Sequence, residues 1–319
     1  MSESEQGPAF QPLDDVAYGT VERVAPGIRR VIAENPSKFT YRGTGTYIVG
    51  DGEVAVIDPG PALDSHRDAL AAALAGERVT AIVVTHCHAD HSPLSSWLRA
   101  ETGAPAYAYG PHPRPDPDDP VVAESLAEEV SDGVKVEETT DYDFEPDVRV
   151  ADGEVVASGP GWTLRGVFTP GHTSNHLCVA FEEQQVLFPG DHVMGWSTTV
   201  VSPPDGDMTA YIDSLRKVAG RSDAVYWPTH GPAIERPQRY VEALVRHRLA
   251  REQQVLAAVR DGLETVPAIV AVLYADVSEE LHKPAGRSVL SHLTKLFADG
   301  LVATADVAGP RLSATFHPA

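Results

Sequence analysis

The pattern of apolar and polar positions reads as short strands interrupted by helices as far as Glu235, and as mainly helical beyond it. Alternating or β-branched residues from Val21 to Ile32 and from Phe39 to Val49 predict strands leading into a sheet. Thr44 to Gly50 and Glu53 to Asp58 flank an Asp51-Gly52 turn and predict a hairpin. Asp64 reads as the N-cap of a helix running to about Ala75, followed by a strand from Arg78 to Thr85. Pro93 to Ala100 has the pattern of a short helix capped by Ser92, and Pro105 to Tyr109 that of another strand. Five prolines and three aspartates between Pro111 and Pro120 mark an exposed loop.

Several short strands are predicted between Val134 and Val167, with turns at Asp152-Gly153 and Pro160-Gly161. Leu177 to Phe181 and Val186 to Phe188 read as strands, Asp207 to Val218 as a helix, and Ala224 to Pro228 as a last strand of this part. Arg236 to Val259, Val266 to Leu273 and a segment around Val289 to Phe297 carry helical spacing. Leu301 to Ala305 and Leu312 to Phe316, joined at Gly309-Pro310, predict a hairpin. Three helices and a hairpin are the order of a winged helix. The division expected is a first domain over 18–235 and a winged-helix-like domain over 236–319.

Composition changes this picture little, since 42% hydrophobic and 22% charged residues are ordinary for a globular chain of 319. No apolar run has the length of a membrane span, and Met1 to Gln11, part of a polar stretch expected to fray, has no basic start followed by an apolar core. The two cysteines, Cys87 and Cys178, suit a reducing compartment, so the expectation is a cytoplasmic protein without membrane partners; the sequence leaves its oligomeric state open. Charge changes it more. The net charge is −21, with ten basic and nine acidic residues from Arg236 onward, which puts −22 on Met1 to Glu235. Fifteen acidic and three basic residues lie between Gly110 and Glu154. Such a surface works against a general electrostatic hold on nucleic acid, which depends on cations that displace counterions from phosphates.

The candidate chemistry lies in Thr85-His86-Cys87-His88-Ala89-Asp90-His91-Ser92, at the end of the apolar run Val79 to Val84. Imidazole nitrogens with a carboxylate oxygen are a donor mixture that zinc and similar divalent ions accept. His172, Asp191 and His230 each follow an apolar strand and have a glycine adjacent. With these the set resembles the metallo-β-lactamase superfamily, whose signature is His-X-His-X-Asp-His followed by a His, an Asp and a last His. The resemblance implies an α/β fold, an αββα sandwich with metals at one edge of the two sheets. By position it assigns His86, His88 and His172 to a first zinc ion, Asp90, His91 and His230 to a second, and Asp191 to both.

Within the superfamily, Thr169-Pro170-Gly171-His172-Thr173, Pro228-Thr229-His230-Gly231-Pro232 and Arg287 to Leu293 are similar to the β-lactamase-like protein 2 branch, which carries a C-terminal winged helix. The function this implies is a dinuclear zinc hydrolase whose bridging hydroxide attacks a small-molecule or carrier-bound ester, thioester or lactone. The alternative it carries is a metal-dependent endoribonuclease acting on single-stranded RNA. Asp90 is expected both to bind metal and to orient the hydroxide, and Asp58 to support a ligand ring from behind. His176 is the candidate for donation to a substrate oxygen, with His192 and Tyr47 behind it. Met194 and Trp196 are candidates for an apolar pocket wall. Cys87 and Cys178 read as buried fillers.

Overall fold

The computed structural model describes residues 7–13, 15–124, 139–276, 278 and 281–319. Seven strands form the first sheet in chain order: β1 (Val21–Ala25), β2 (Ile28–Ile32), β3 (Gly45–Asp51), β4 (Glu53–Ile57), β5 (Arg78–Val83), β6 (Ala106–Ala108) and β7 (Val148–Arg149). The first four pair antiparallel, and β4 to β7 run parallel. The second sheet contains β8 (Val155–Gly159), β9 (Trp162–Phe168), β10 (Leu177–Phe181), β11 (Val186–Phe188), β12 (Val225–Tyr226) and β13 (Ile234–Glu235), in the order 13-12-11-10-9-8.

Period-two alternation explains the layers. In β4, Ala55 and Ile57 point into the core between the sheets, while Val54 and Val56 face the opposite side. In β10, Leu177, Val179 and Phe181 enter the same central core, and Cys178 and Ala180 face outward. Each outward face is apolar as well, so each needs a helical cover. Leu70 and Leu74, from and just after α1 (Asp64–Ala73), and Leu94 and Leu98 of α2 (Leu94–Thr102) cover the first sheet. Tyr211, Ile212 and Leu215 of α3 (Met208–Ala219) cover the second. The result is the expected αββα sandwich. At about 25 cal/mol per Å² of apolar surface, burying a side chain such as Phe188 or Ile57 contributes roughly 2 kcal/mol, so a charge at either position would open the central core.

The long α4 (Pro237–Arg260) belongs to two cores. Val241 and Leu244 join the cover of the second sheet, and Val255, Leu256 and Val259 join a separate C-terminal core. That core contains α5 (Val266–Leu273), α6 (His282–Ala298) and the pair β14 (Val302–Thr304) and β15 (Phe316–Pro318). This is the small C-terminal winged-helix region.

Several local expectations change. Phe39 to Gly43 is a run of turns rather than strand, because the Ser37 hydroxyl accepts from the backbone amides of Phe39 and Thr40 at 3.0 and 3.1 Å. Asp64 opens α1 without capping it, and Leu63 holds the cap position. Ser92 caps nothing; its hydroxyl donates to Asp141 at 2.7 Å, and Pro93 stands at the N-cap of α2. The strand expected to begin at Val134 starts outside the described residues.

Candidate metal centre

The parallel pairing of β4 with β5 and of β11 with β12 brings their C-terminal ends to one edge of the sandwich. Asp58 follows β4, the His86–His91 loop follows β5, His172 follows β9, Asp191 follows β11 and His230 follows β12. Three groups of donors converge there: His86 with His88 and His172; His86 with His91 and Asp191; and Asp90 with His91 and His230. Within each group the donor atoms lie within 4.8 Å of one another. Gly190 gives the Asp191 loop its path. Its φ is +53°, and a Cβ there would lie 2.8 Å from both His176 Nε2 and Thr85 Oγ1. Gly171, at φ +136°, lies so close to Tyr211 that a Cβ would fall 2.3 Å from its Cα.

Hydrogen bonds behind the rings decide which nitrogen faces inward. His91 Nδ1 donates to Asp58 at 2.9 Å, His172 Nδ1 to the Val200 carbonyl at 2.7 Å, and His230 Nδ1 to the Gly43 carbonyl at 3.1 Å. Each leaves Nε2 as a lone pair directed into the site. The Thr85 hydroxyl donates to Asp58 at 2.9 Å, so at 3.1 Å it accepts from His86 Nδ1 and fixes that ring the same way. His88 turns its Nδ1 to within 2.9 Å of His86 Nε2 and 3.2 Å of His172 Nε2. Asp58 therefore has the supporting role expected of it. Its carboxylate also accepts from the Thr85 amide at 2.8 Å and the Thr229 hydroxyl at 3.1 Å, which offsets the strain of a non-glycine residue at φ +48°.

These donors fit divalent ions. His91 Nε2 and Asp191 Oδ1 are buried without a hydrogen-bond partner, and Asp191 Oδ1 lies 3.6 Å from His91 Nε2. Burial pushes the rings of His86 and His88 well below the ordinary histidine range, with mutual repulsion among the histidines added. For His91 burial acts in the same direction, but Asp90, Asp191 and Asp58 override it and hold the ring well above that range. His230 is raised to about 10 against its burial, chiefly by Asp191 and Asp90. A pocket whose carboxylates draw protons onto its own histidines favours positive charge, and a divalent ion supplies it without those protons.

The other candidates separate clearly. His176 is fully buried; its Nε2 accepts from the Asp191 amide at 3.3 Å and its Nδ1 shares a 2.9 Å bond with the Thr169 hydroxyl. Neither nitrogen is left for a substrate oxygen, so the ring supports the Asp191 loop. Tyr47 donates to the Pro228 carbonyl at 2.7 Å from within the central core, and His192 is fully buried against Tyr211. Burial pushes the Cys87 thiol up to about 11, and it packs under the first sheet as a filler. Met194 and Trp196 do line a small open cleft that reaches His172 and Asp191.

Sequence reasoning missed the loop around Lys38 to Thr44. Thr44 donates to Asp90 Oδ2 at 3.1 Å, Gly43 supports His230, and Lys38 and Phe39 stand in the same cleft as Met194. It also missed Val200 and the buried Arg248 of α4, which donates to the Thr199 carbonyl while lying over the Tyr211 ring. The only advance signal for the loop was its position before β3, whose first residues pair with the last of β4 beside the ligands.

A profile of the Metallo-beta-lactamase superfamily matches residues 41–230, a span that contains all seven predicted ligands. The chain belongs to the metallo-β-lactamase superfamily. It is a metal-dependent hydrolase of that superfamily, and residues 265–308 match the Beta-lactamase associated winged helix domain. An atrochrysone carboxyl ACP thioesterase of Aspergillus chevalieri is 31% identical over 314 residues, covering 93% of this chain and 88% of the relative. A Beta-lactamase-like protein 2 homolog of Caenorhabditis elegans is 29% identical over 291 residues, with 88% of each covered. The fold matches that of a Beta-lactamase domain protein from Burkholderia ambifaria at a TM-score of 0.75, with 21% identity, 95% of this chain and 94% of that one covered. A metallo-beta-lactamase family protein from Thermus thermophilus superposes at 0.72, with 24% identity over 93% of this chain and all of the other.

Proposed function

We propose that this superfamily member is a dinuclear zinc hydrolase of a thioester, with esters and lactones as related substrates. The observation that carries the reading is Asp191. Its carboxylate stands between the two sets of ligands, Oδ2 at 4.0 Å from His172 Nε2 and 3.4 Å from His230 Nε2, and Oδ1 facing His91. His86, His88 and His172 would hold one ion, Asp90, His91 and His230 the other, and Asp191 both. The chemistry two such ions would supply when bound is polarisation of a carbonyl oxygen and activation of a water as nucleophile at neutral pH. Asp90 would bind metal and orient the nucleophile, with Thr44 fixing one of its oxygens. Asp58, Thr85, Val200 and Gly43 hold the rings so that little reorganisation is needed when substrate arrives.

Thioester is preferred because several relatives are named as acyl-carrier-protein thioesterases. The second reading, single-strand endoribonuclease, draws support from the likeness to the Beta-lactamase-like protein 2 homolog. Against it, three of the basic or imidazole side chains of α6 are engaged or buried, Lys295 with Glu252 and Asp299, Arg287 with Ser202, and His292 in the interior, while Lys283 is exposed. That leaves the winged helix poorly supplied for phosphate contact. We assign the catalytic unit to 18–235 and the winged-helix unit to 236–319, and the two buried free cysteines favour a reducing, cytoplasmic setting. No described helix is long and apolar enough to cross a membrane. The test is a parallel assay of zinc-loaded protein on thioesters, esters, lactones and labelled single-stranded RNA. Thioester cleavage that Asp191→Ala abolishes supports the first reading, and RNA cleavage lost in the same variant without thioester cleavage reverses the order.

A further inference from the structure

The cleft beside the metal ligands has a second end. Besides His172 and Asp191 it is lined by Met194, Trp196, Phe39 and Lys38. The turns that carry Lys38 and Phe39 are built to stay where they are. Asn35 bonds both the amide and the hydroxyl of Thr44 at 2.9 Å, Thr40 donates to the Asn35 carbonyl at 2.5 Å, and Tyr41 stacks on Trp196 with centroids 4.7 Å apart and planes 10° apart. Through Thr44 and Gly43 the same turns contact the ligands Asp90 and His230. The backbone that carries Lys38 and Phe39 is therefore held in a fixed relation to the metal centre.

The chemistry of this wall is apolar surface with one cation and the hydroxyl side chains of Ser197 and Thr198. Phe39 and Trp196 offer flat surface suited to an aromatic body, with the buried Met194 at the base of the cleft. The Lys38 ammonium lies 5.2 Å from the Phe39 ring centroid, and among the described residues it has no carboxylate partner, in a chain whose net charge is −21. An acidic protein that leaves a lysine unpaired at the mouth of its reaction cleft has a group available for an anion there. We propose that this end of the cleft is the acyl subsite and takes an aromatic acyl group bearing a carboxylate, the ring against Phe39, Met194 and Trp196 and the carboxylate on Lys38. The direction of the acyl group rests on the hydrolase reading, while the pocket's preference for an aromatic anion stands apart from it.

The test uses two measurements on the zinc-loaded protein. The first compares kcat/KM for the N-acetylcysteamine thioesters of 2-naphthoic acid and of naphthalene-2,6-dicarboxylic acid. The second measures by calorimetry the binding of 2-naphthoate and of naphthalene-2,6-dicarboxylate. The expected result is that the second carboxylate improves both quantities about tenfold, as a charge-assisted hydrogen bond should. Lys38→Gln brings the ratio to about one, Lys38→Glu inverts it, and Phe39→Ala weakens both members of each pair. Circular dichroism verifies the fold of each variant. Ratios near one in the unaltered protein, or ratios untouched by Lys38→Gln, overturn the proposal. Lys38-dependent binding of the diacid without cleavage of either thioester would sink the thioesterase reading and keep the subsite. Loss of single-stranded RNA affinity in Lys38→Gln, with the two acids binding alike, would assign the lysine to a phosphodiester and overturn the proposal.

Discussion

The two halves of the metal centre use nearly the same side chains in opposite electrostatic settings. His86, His88 and His172 are three imidazoles backed by neutral groups, the Thr85 hydroxyl behind His86 and the Val200 carbonyl behind His172. Asp90, His91 and His230 include a carboxylate, and a further carboxylate, Asp58, stands behind His91. Burial and neighbouring histidines push His86 and His88 toward the neutral form, whereas carboxylates overcome burial and hold His91 and His230 in the charged form. The first half is a ready set of lone pairs. The second is a pocket of negative charge that needs a cation to be satisfied, and the Asp191 carboxylate lies between the two.

Removing that carboxylate should have the largest effect. Asp191→Ala is expected to abolish hydrolysis and to lower zinc content in both halves, measured by metal analysis after dialysis. Loss of zinc from one half alone would show that the carboxylate is not shared. Asp58→Asn comes next, because it removes the charge behind His91 and disturbs the acceptor for Thr85. A loss of roughly 10- to 100-fold in affinity is expected for the second ion, and a smaller one for the first, read by competition with a chelating dye. Equal losses in both would erase the distinction between the halves.

A third effect tests the support of the first half. Arg248 holds the Thr199 carbonyl, one residue from the Val200 carbonyl that orients His172. Arg248→Ala should weaken the first ion about tenfold while Arg248→Lys restores part of it. A change confined to thermal stability, with metal affinity unchanged, would mean that the arginine only packs.

The smallest effect on the metal centre concerns His66, whose change falls on folding and which shares a 2.9 Å bond with Thr46, whose hydroxyl donates to the Asp58 carbonyl. Burial lowers the His66 ring to about 4 from 6.5, so the unfolded chain binds the proton more readily. Its stabilising contribution is complete above pH 6.5 and is lost as pH falls through about 4, by up to roughly 3 kcal/mol. Denaturant midpoints measured across that range should show a slope that His66→Gln reduces.

The residues that converge at the sheet edge were legible in the sequence because the chemistry and the fold leave the same mark: a histidine or aspartate just past an apolar strand, with glycine beside it. His172, Asp191 and His230 all show it, His86 shares the place past the strand, and the alternation in β4 and β10 shows the sandwich. What supports the ligands is less visible. Val200 and Gly43 act through backbone carbonyls, which carry no residue signature. Phe39, Thr40 and Tyr41 have strand composition, yet Ser37 and Asn35 bind the backbone locally and turn the segment into the cleft wall. His176 has the residue type of a donor, but only the packed structure shows both its nitrogens engaged.

The central claim is that one carboxylate joins two unlike metal sites. Anomalous diffraction at the zinc edge, from crystals grown with zinc, tests it most directly. The account predicts two peaks, one among His86, His88 and His172 and one among Asp90, His91 and His230, with the Asp191 carboxylate in contact with both. A single peak, or two peaks of which Asp191 touches only one, would contradict it.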